Sequence, residues 1–446
     1  VDELKLIGGK VGVAIVMEVA TGDIKAMVNM QHCDDGEYRE IANHAVSDLL
    51  EPGSVFKTAS IMAALDDGYV DTTYMVETGG GVWNMYGRDM KDHNWSRGGY
   101  GTLMLPWTLK YSSNIGVSRI IDKFYHDQPE KFVQKIHSFG LATDYKVPIP
   151  GYVPGVIRMP KKNKRGQYTN WSKTALPWMS IGYETQIPPL QTVTFYNAIA
   201  NGGRYVRPRL VKGLRTETLD SILPVSYIRD RICSEENARK MQYMLKQVVW
   251  GAHGTGRSLK NDKVALAGKT GTCYSIDPAT RQYNKSRKRL AFCGFFPADD
   301  PQYSCMVLTY YPKRNMFGAA STSGQVMKNI AVKMFSRGLL GNSPDYSEGA
   351  SGLQRAQLYG SAKPGRHKSV RQAAGIKAES HPAAPRSVAK GMVPSVLGLG
   401  LREAVVALEE KGFNVGFSGT GYVKGQVPPE GTPLARGGKV TLTLAP

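Results

Sequence analysis

At 446 residues the chain is long enough for two or three domains with at least one large core. Its 57 Lys and Arg against 37 Asp and Glu leave a formal charge of +20. That charge points to an acidic polymer or a membrane-proximal surface, whereas the absence of zinc-finger spacing or an RNA-recognition aromatic signature argues against nucleic acid. Five cysteines without a C-x-x-C pair exclude a disulfide scaffold, and no apolar run approaches the ~20 residues of a membrane-spanning helix.

The chain carries neither a signal peptide nor an initiator methionine, so it reads as a trimmed piece of something longer, with any membrane anchor upstream. Val11 to Val19 and Ile24 to Asn29 are β-rich runs joined by Thr21-Gly22-Asp23, the pattern of a hairpin. Pro52 and Gly53 then punctuate the backbone ahead of an apolar, helix-forming stretch, which predicts a turn opening a buried helix with Ser54 in its first turn. A Gly-rich loop region with interleaved Trp83, Tyr86, His93 and Trp95 precedes a helix predicted around Thr108 to Phe124. Residues 146 to 180 read as loop, and 235 to 250 as helix. The basic runs Lys161 to Arg165 and Lys285 to Arg289 read as loop tips.

Strands dominate from Val264: Val264 to Tyr274, Arg289 to Phe296 and Tyr303 to Tyr311, closed by an amphipathic helix from Gln325 to Phe335. Two early strands, an insertion of helices, then three strands and a helix predict an α+β fold with one antiparallel sheet covered by helices. Composition shifts at Gly341 to a Ser-, Ala-, Gly-, Pro- and Lys/Arg-rich stretch, 341–391, expected to be a flexible basic linker. Residues 392–446 form a further unit: a short strand at Val393 to Val396, a helix from Leu401 to Lys411, and two or three strands ending in the alternating Lys439 to Leu444.

Chemistry enters through three spacings. Ser54 and Lys57 lie three residues apart, hence on one face of a helix, which suits a serine nucleophile with a lysine base. A second Ser-x-x-Lys, Ser387 to Lys390, falls in the linker, so the spacing alone proves little. Ser112 and Asn114 form a Ser-x-Asn, whose simplest reading is helix capping. Lys269-Thr270-Gly271-Thr272 sits in a strand, and Gly271 leaves room for another backbone or a ligand to approach. The missing glycine at Lys263 rules out a phosphate-binding loop. Eight scattered histidines form no H-E-x-x-H motif, and no G-x-S-x-G elbow is present, so no metal and no cofactor is expected.

Ser-x-x-Lys, Ser-x-Asn and Lys-Thr-Gly in that order are the set of penicillin-binding proteins and class A β-lactamases. Their settings here, Glu-Pro-Gly-Ser-Val-Phe-Lys, Tyr-Ser-Ser-Asn and Gly-Lys-Thr-Gly-Thr, with Gly294 to Ala298, closely resemble those of class B penicillin-binding proteins of the septal, division type. Residues 1–340 carry that resemblance, and residues 392–446 look like a PASTA domain. The resemblance implies a transpeptidase fold, an antiparallel five-stranded sheet flanked by helices plus a mostly helical subdomain, followed by a small PASTA unit built of strands and a helix.

It also implies a D,D-transpeptidase acting on D-alanyl-D-alanine stem peptides of peptidoglycan and acylated by β-lactams. Ser54 would be the nucleophile, Lys57 its base and Ser112 a proton relay. Asn114 would hold substrate and Lys57, Lys269 would support Ser112 electrostatically, and Thr270, Gly271 and Thr272 would bind the substrate carboxylate. Backbone N–H groups of Ser54 and Thr272 would form the oxyanion hole. Partners implied are a membrane glycosyltransferase and division proteins, at the extracytoplasmic face of the cytoplasmic membrane of a bacterial envelope. A D,D-carboxypeptidase, or a β-lactam sensor or cell-wall binding protein without turnover, would use the same motifs. For Lys57 to serve as base its pKa must fall about three units from ~10.4, worth roughly 4 kcal/mol. Burial, the helix dipole and the neighbouring Lys269 cation are all expected to push that way.

Overall fold

Val11–Glu18 (β1) alternates buried and part-exposed residues as a β-branched strand with one covered face should, until three consecutive buried residues near its end. It pairs antiparallel with Ile24–His32 (β2), which carries the two-residue Tyr38–Arg39 (β3) at its far edge. On its other side β1 pairs with Tyr303–Tyr310 (β6), then come Tyr283–Phe296 (β5) and Ala267–Ile276 (β4). The spatial order is β4-β5-β6-β1-β2-β3. Five long strands thus make the antiparallel sheet, with a short sixth capping its edge.

This computed structural model describes residues 1–216, 220–276, 282–313, 318–340, 392–409, 411–419, 422–435 and 437–445. The predicted linker, and with it Ser387 and Lys390, lies outside the described residues. Two compact units, Val1–Ala331 and Val332–Pro446, are considered separately. No helix of the described residues is long and apolar enough to cross a membrane.

Five helices of the first unit matter to the site: Lys57–Asp66 (α1), Leu105–Lys110 (α2), Asn114–Tyr125 (α3), Pro189–Ala200 (α4) and Glu235–Trp250 (α5); a further helix, Gln325–Ser336 (α6), runs across the end of that unit. The sheet's helical cover includes α4, which packs on β1, β5 and β6 and buries every one of its twelve residues. Burying side chains such as Leu190, Val193, Phe195 and Ile199 supplies ~1.5–3 kcal/mol each. Its polar groups find partners: Asn197 donates to Val19 O (3.1 Å) and accepts from Ser304 Oγ (2.7 Å).

Three local expectations change. The helix predicted over Thr108 to Phe124 is two helices, α2 and α3, separated at Tyr111–Ser113. Lys285 to Arg289 is no loop tip: it belongs to β5, where Arg289 is buried opposite Cys273 and Tyr310. The Gly-rich loop region contains two small hairpins, Met75–Gly79 with Gly101–Met104 and Val82–Met85 with Arg88–Lys91.

The second unit contains a helix, Leu401–Glu409 (α7), and three strands, Asn414–Gly419 (β7), Tyr422–Val427 (β8) and Lys439–Ala445 (β9). The order is β7-β9-β8, with β9 parallel to β7 and antiparallel to β8. Val393 and Val396 join its core without forming the expected strand; the neighbouring Met392 makes an isolated bridge to Pro433.

Tyr196 of α4 ties this helix to α1. Its buried hydroxyl donates to Val55 O (2.9 Å) and lies 2.7 Å from Thr58 Oγ1. Tyr196→Phe leaves the Val55 carbonyl without this donor, and is predicted to destabilise the protein by ~1–3 kcal/mol. Chemical denaturation of the two proteins checks this.

Candidate active site

Ser54 sits in a single 3-10 turn, Gly53–Val55, immediately before α1, so it precedes the helix rather than occupying its first turn. The turn is wedged between β4 and the chain at Gly182. Gly53 has φ +57° and donates to Gly182 O (3.1 Å), and a Cβ on Gly182 would lie 2.1 Å from Gly53 O. On the strand side, a Cβ on Gly271 would meet Val55 Cγ1 at 2.9 Å. What Gly271 admits is therefore the Val55 side chain of the Ser54 turn.

Lys57, the first residue of α1, is fully buried. Its Nζ donates to Ser112 O (2.7 Å), Ser112 Oγ (3.2 Å) and Asn114 Oδ1 (2.6 Å). Burial lowers its pKa to about 7, with the charge of Asp92 acting in the opposite direction. A pKa near neutrality is the range in which a general base works best at physiological pH.

Ser112 reaches Lys57 through an unusual backbone. After α2 ends, Ser112 takes φ +55°, a left-handed conformation that costs a non-glycine residue ~1–2 kcal/mol. This turn brings both its carbonyl and its hydroxyl onto Lys57. Ser113 then caps α3, its Oγ accepting from Gly116 N (2.8 Å). The capping expected of Ser112 and Asn114 thus belongs to Ser113. Asn114 Nδ2 donates to Lys91 O (2.7 Å), which orients its Oδ1 toward Lys57.

Asp92 went unnoticed in the sequence. It is 1% exposed. Its Oδ2 accepts from Ser113 Oγ (2.7 Å), and its Oδ1 accepts from Asn114 N (2.6 Å) and Ile115 N (3.1 Å). Asp92 is thereby bonded to the residues that flank Ser112 on its C-terminal side.

Along β4, Lys269, Gly271 and Cys273 are buried while Thr270 and Thr272 are part-exposed, the alternation of a strand at a sheet edge. Thr270 Oγ1 donates to Thr255 Oγ1 (3.0 Å), and Thr255 N donates to Lys110 O (3.1 Å), linking β4 to the end of α2. Lys269 is fully buried, and its Nζ donates to Thr270 O (3.1 Å) rather than to Ser112. Its pKa lies well below the ordinary lysine value, through burial first and the Lys57 charge second. The expectation that a Lys269 cation depresses Lys57 is therefore replaced: burial is what lowers Lys57, and the charge of Lys57 helps to lower Lys269. At the rim, His93 is also held below its ordinary value. Desolvation leads, Asp92 opposes it, and Arg97, Lys57 and Lys269 add to it.

The fold thus unites the three motif stretches, separated by more than two hundred residues, in one cluster around Lys57. The hydrogen bonds of Lys57 go to Ser112 and Asn114, and none reaches Ser54. Such bonds are commonly long before substrate arrives.

A family model described as penicillin-binding protein transpeptidase domain matches residues 12–332, and a PASTA domain model matches residues 391–446. The chain is similar to penicillin-binding protein PbpB of Mycolicibacterium smegmatis, 28% identical over 361 residues that take in 76% of this chain and 52% of that protein. It is also similar to the peptidoglycan D,D-transpeptidase FtsI of Escherichia coli, 27% identical over 325 residues, 72% of this chain and 50% of that protein. The chain spans about half the length of these curated relatives. Penicillin-binding protein 3 of Mycobacterium tuberculosis, solved in complex with aztreonam, superposes with a TM-score of 0.64 at 26% identity, covering 77% of this chain and 76% of that one.

The lowered pKa of Lys57 can be read directly. In protein carrying 13C-labelled lysine, one resonance absent from Lys57→Ala should titrate with a midpoint near 7. A midpoint close to ~10.4 would show that burial does not neutralise this side chain.

Proposed function

Because the chain belongs to the penicillin-binding protein transpeptidase family, we propose that it is a peptidoglycan D,D-transpeptidase: it cross-links stem peptides through a serine acyl-enzyme and is inactivated by β-lactams. The observation that carries this reading is the buried Lys57. Its pKa is lowered to about 7, and it lies three residues from Ser54, bonded to both residues of the Ser-x-Asn motif.

In the proposed reaction Ser54 Oγ attacks the carbonyl carbon of the penultimate D-alanine as Lys57 Nζ takes its proton. The tetrahedral oxyanion forms against the backbone N–H groups of Ser54 and Thr272, where one lost donor typically costs ~10²–10³ in rate. The C–N bond then breaks. The proton returns through Ser112, already 3.2 Å from Lys57 Nζ, to the leaving D-alanine amine. An amine of a second stem peptide attacks the Ser54 ester, loses its proton along the same path, and releases the cross-linked amide and the free serine.

Thr270 and Thr272, on one side of the edge strand, would take the terminal carboxylate. Gly271 would serve them indirectly, by letting the Ser54 turn pack close. Asn114 would hold Lys57 and the substrate amide. Lys269, turned to Thr270 O, would act by placing this strand rather than through a bond to Ser112.

The septal assignment rests on the FtsI and PbpB relatives. On that reading the chain acts at the outer face of the cytoplasmic membrane, beside a membrane glycosyltransferase and division proteins. Residues 341–391, polar and basic, would serve as a linker, and the PASTA unit would bind cell wall.

Mass spectrometry after incubation with benzylpenicillin tests the reading. One adduct is expected, mapping to Ser54, and none in a folded Ser54→Ala. An adduct on any other serine, Ser387 included, would contradict it.

A further inference from the structure

We propose that Asp92 is a positioning residue of this site: it fixes the strained turn that carries Ser112 and Asn114, and its carboxylate supplies the negative charge that balances buried Lys57. The inference rests on Lys57 being the base of the reaction above.

Two features of Asp92 exceed what helix capping requires. First, α3 already has a cap in Ser113, whose Oγ accepts from Gly116 N. A neutral side chain at position 92 could accept from Asn114 N and Ile115 N equally well. A buried carboxylate costs several kcal/mol unless its charge is compensated. Among the described residues Asp92 forms no ion pair within 4.0 Å, and its two oxygens take only the Ser113 hydroxyl and two N–H groups. Second, that carboxylate is linked to Lys57 by a short chain of bonds: Asp92 Oδ1 accepts from Asn114 N, and Asn114 Oδ1 accepts from Lys57 Nζ.

The charged groups around Lys57 are otherwise cationic or ready to become so. Lys269 approaches from β4 and His93 from the segment after the Arg88–Lys91 strand. Without Asp92, burial would make Lys57 a feebler proton acceptor still. With it, burial is partly offset. The same carboxylate anchors Ser113 and Asn114, the two residues that follow the left-handed Ser112, so the strain at Ser112 is held by bonds on its C-terminal side.

The test is the pH dependence of Ser54 acylation by benzylpenicillin, measured by stopped flow in the full chain. Wild type should lose rate below a midpoint near 7. Asp92→Asn keeps an oxygen for Asn114 N and Ile115 N and a donor for Ser113 Oγ, but removes the charge. Its midpoint should fall by about one unit, the lower end of the effect of one nearby opposite charge. Its plateau rate should drop a few-fold, as expected for a weaker base. A folded Asp92→Asn protein with the wild-type midpoint would overturn the proposal.

Should the amide variant not fold, Asp92→Ser and the exchange Asp92→Ser with Ser113→Asp carry the same comparison. The single change should lower the midpoint and the exchange, which restores one carboxylate at a residue well suited to capping α3, should return it. An exchange protein that keeps the lowered midpoint would again overturn it. Repeating the profiles in a His93→Gln background removes the other titrating side chain at the rim, and the shift should persist. A flat wild-type profile would instead remove the base assignment to Lys57, leaving the anchoring of Ser113 and Asn114 as a purely structural matter.

Discussion

A buried ammonium group is held in a site that almost, but not quite, supports its charge. Lys57 has lost its water, which for an ion costs several kcal/mol. Against that loss stand three acceptors, Ser112 O, Ser112 Oγ and Asn114 Oδ1, at roughly 1.5–3 kcal/mol per charge-assisted bond, and the field of Asp92. The loss outweighs them by roughly 4 kcal/mol, and the proton is bound with a pKa of about 7. In an unfolded chain the same lysine would stay charged up to ~10.4, so between these values unfolding takes up a proton. The Lys57 contribution to stability is fully present above the unfolded value and is lost as pH falls toward 7.

Everything around the lysine serves that balance. The left-handed Ser112 turns two oxygens onto one nitrogen, which a continuous helix through residues 108–124 would not do. The Ser54 turn keeps its place because Gly53 and Gly182 let its backbone lie close to β4 and to the chain at Gly182, while Gly271 makes room for the Val55 side chain. Helix α4 supports the turn from below through Tyr196, bonded to Val55 O and Thr58. The second lysine, Lys269, is itself fully buried, and burial first and the Lys57 charge second hold its pKa well below the ordinary lysine value.

How much of this was legible in the sequence depends on the range of the interaction. The spacing of Ser54 and Lys57, and the strands from 267 to 310, are local patterns and were readable. Helix α4 was not, because it is buried all round and so shows no apolar and polar faces. The break at Ser112 is also invisible to propensity, since it is imposed by bonds to residues 55–57 positions away and by the anchoring of its neighbours. Asp92 reaches its partners across 21–23 positions from a glycine-rich stretch that reads as loop. The basic run 285–289 misled because β5 continues through it. The direction of the coupling between Lys57 and Lys269 depends on relative burial, which no spacing encodes.

The claim on which this account depends is that Lys57 removes the proton of Ser54. The rate constant for Ser54 acylation by benzylpenicillin, measured in folded Lys57→Ala against wild type at pH 8, tests it most directly. Loss of a positioned base from a serine nucleophile should slow acylation by ~10²–10⁴-fold. Acylation within a few-fold of wild type would mean that another group accepts the proton, and that the buried lysine has a different purpose.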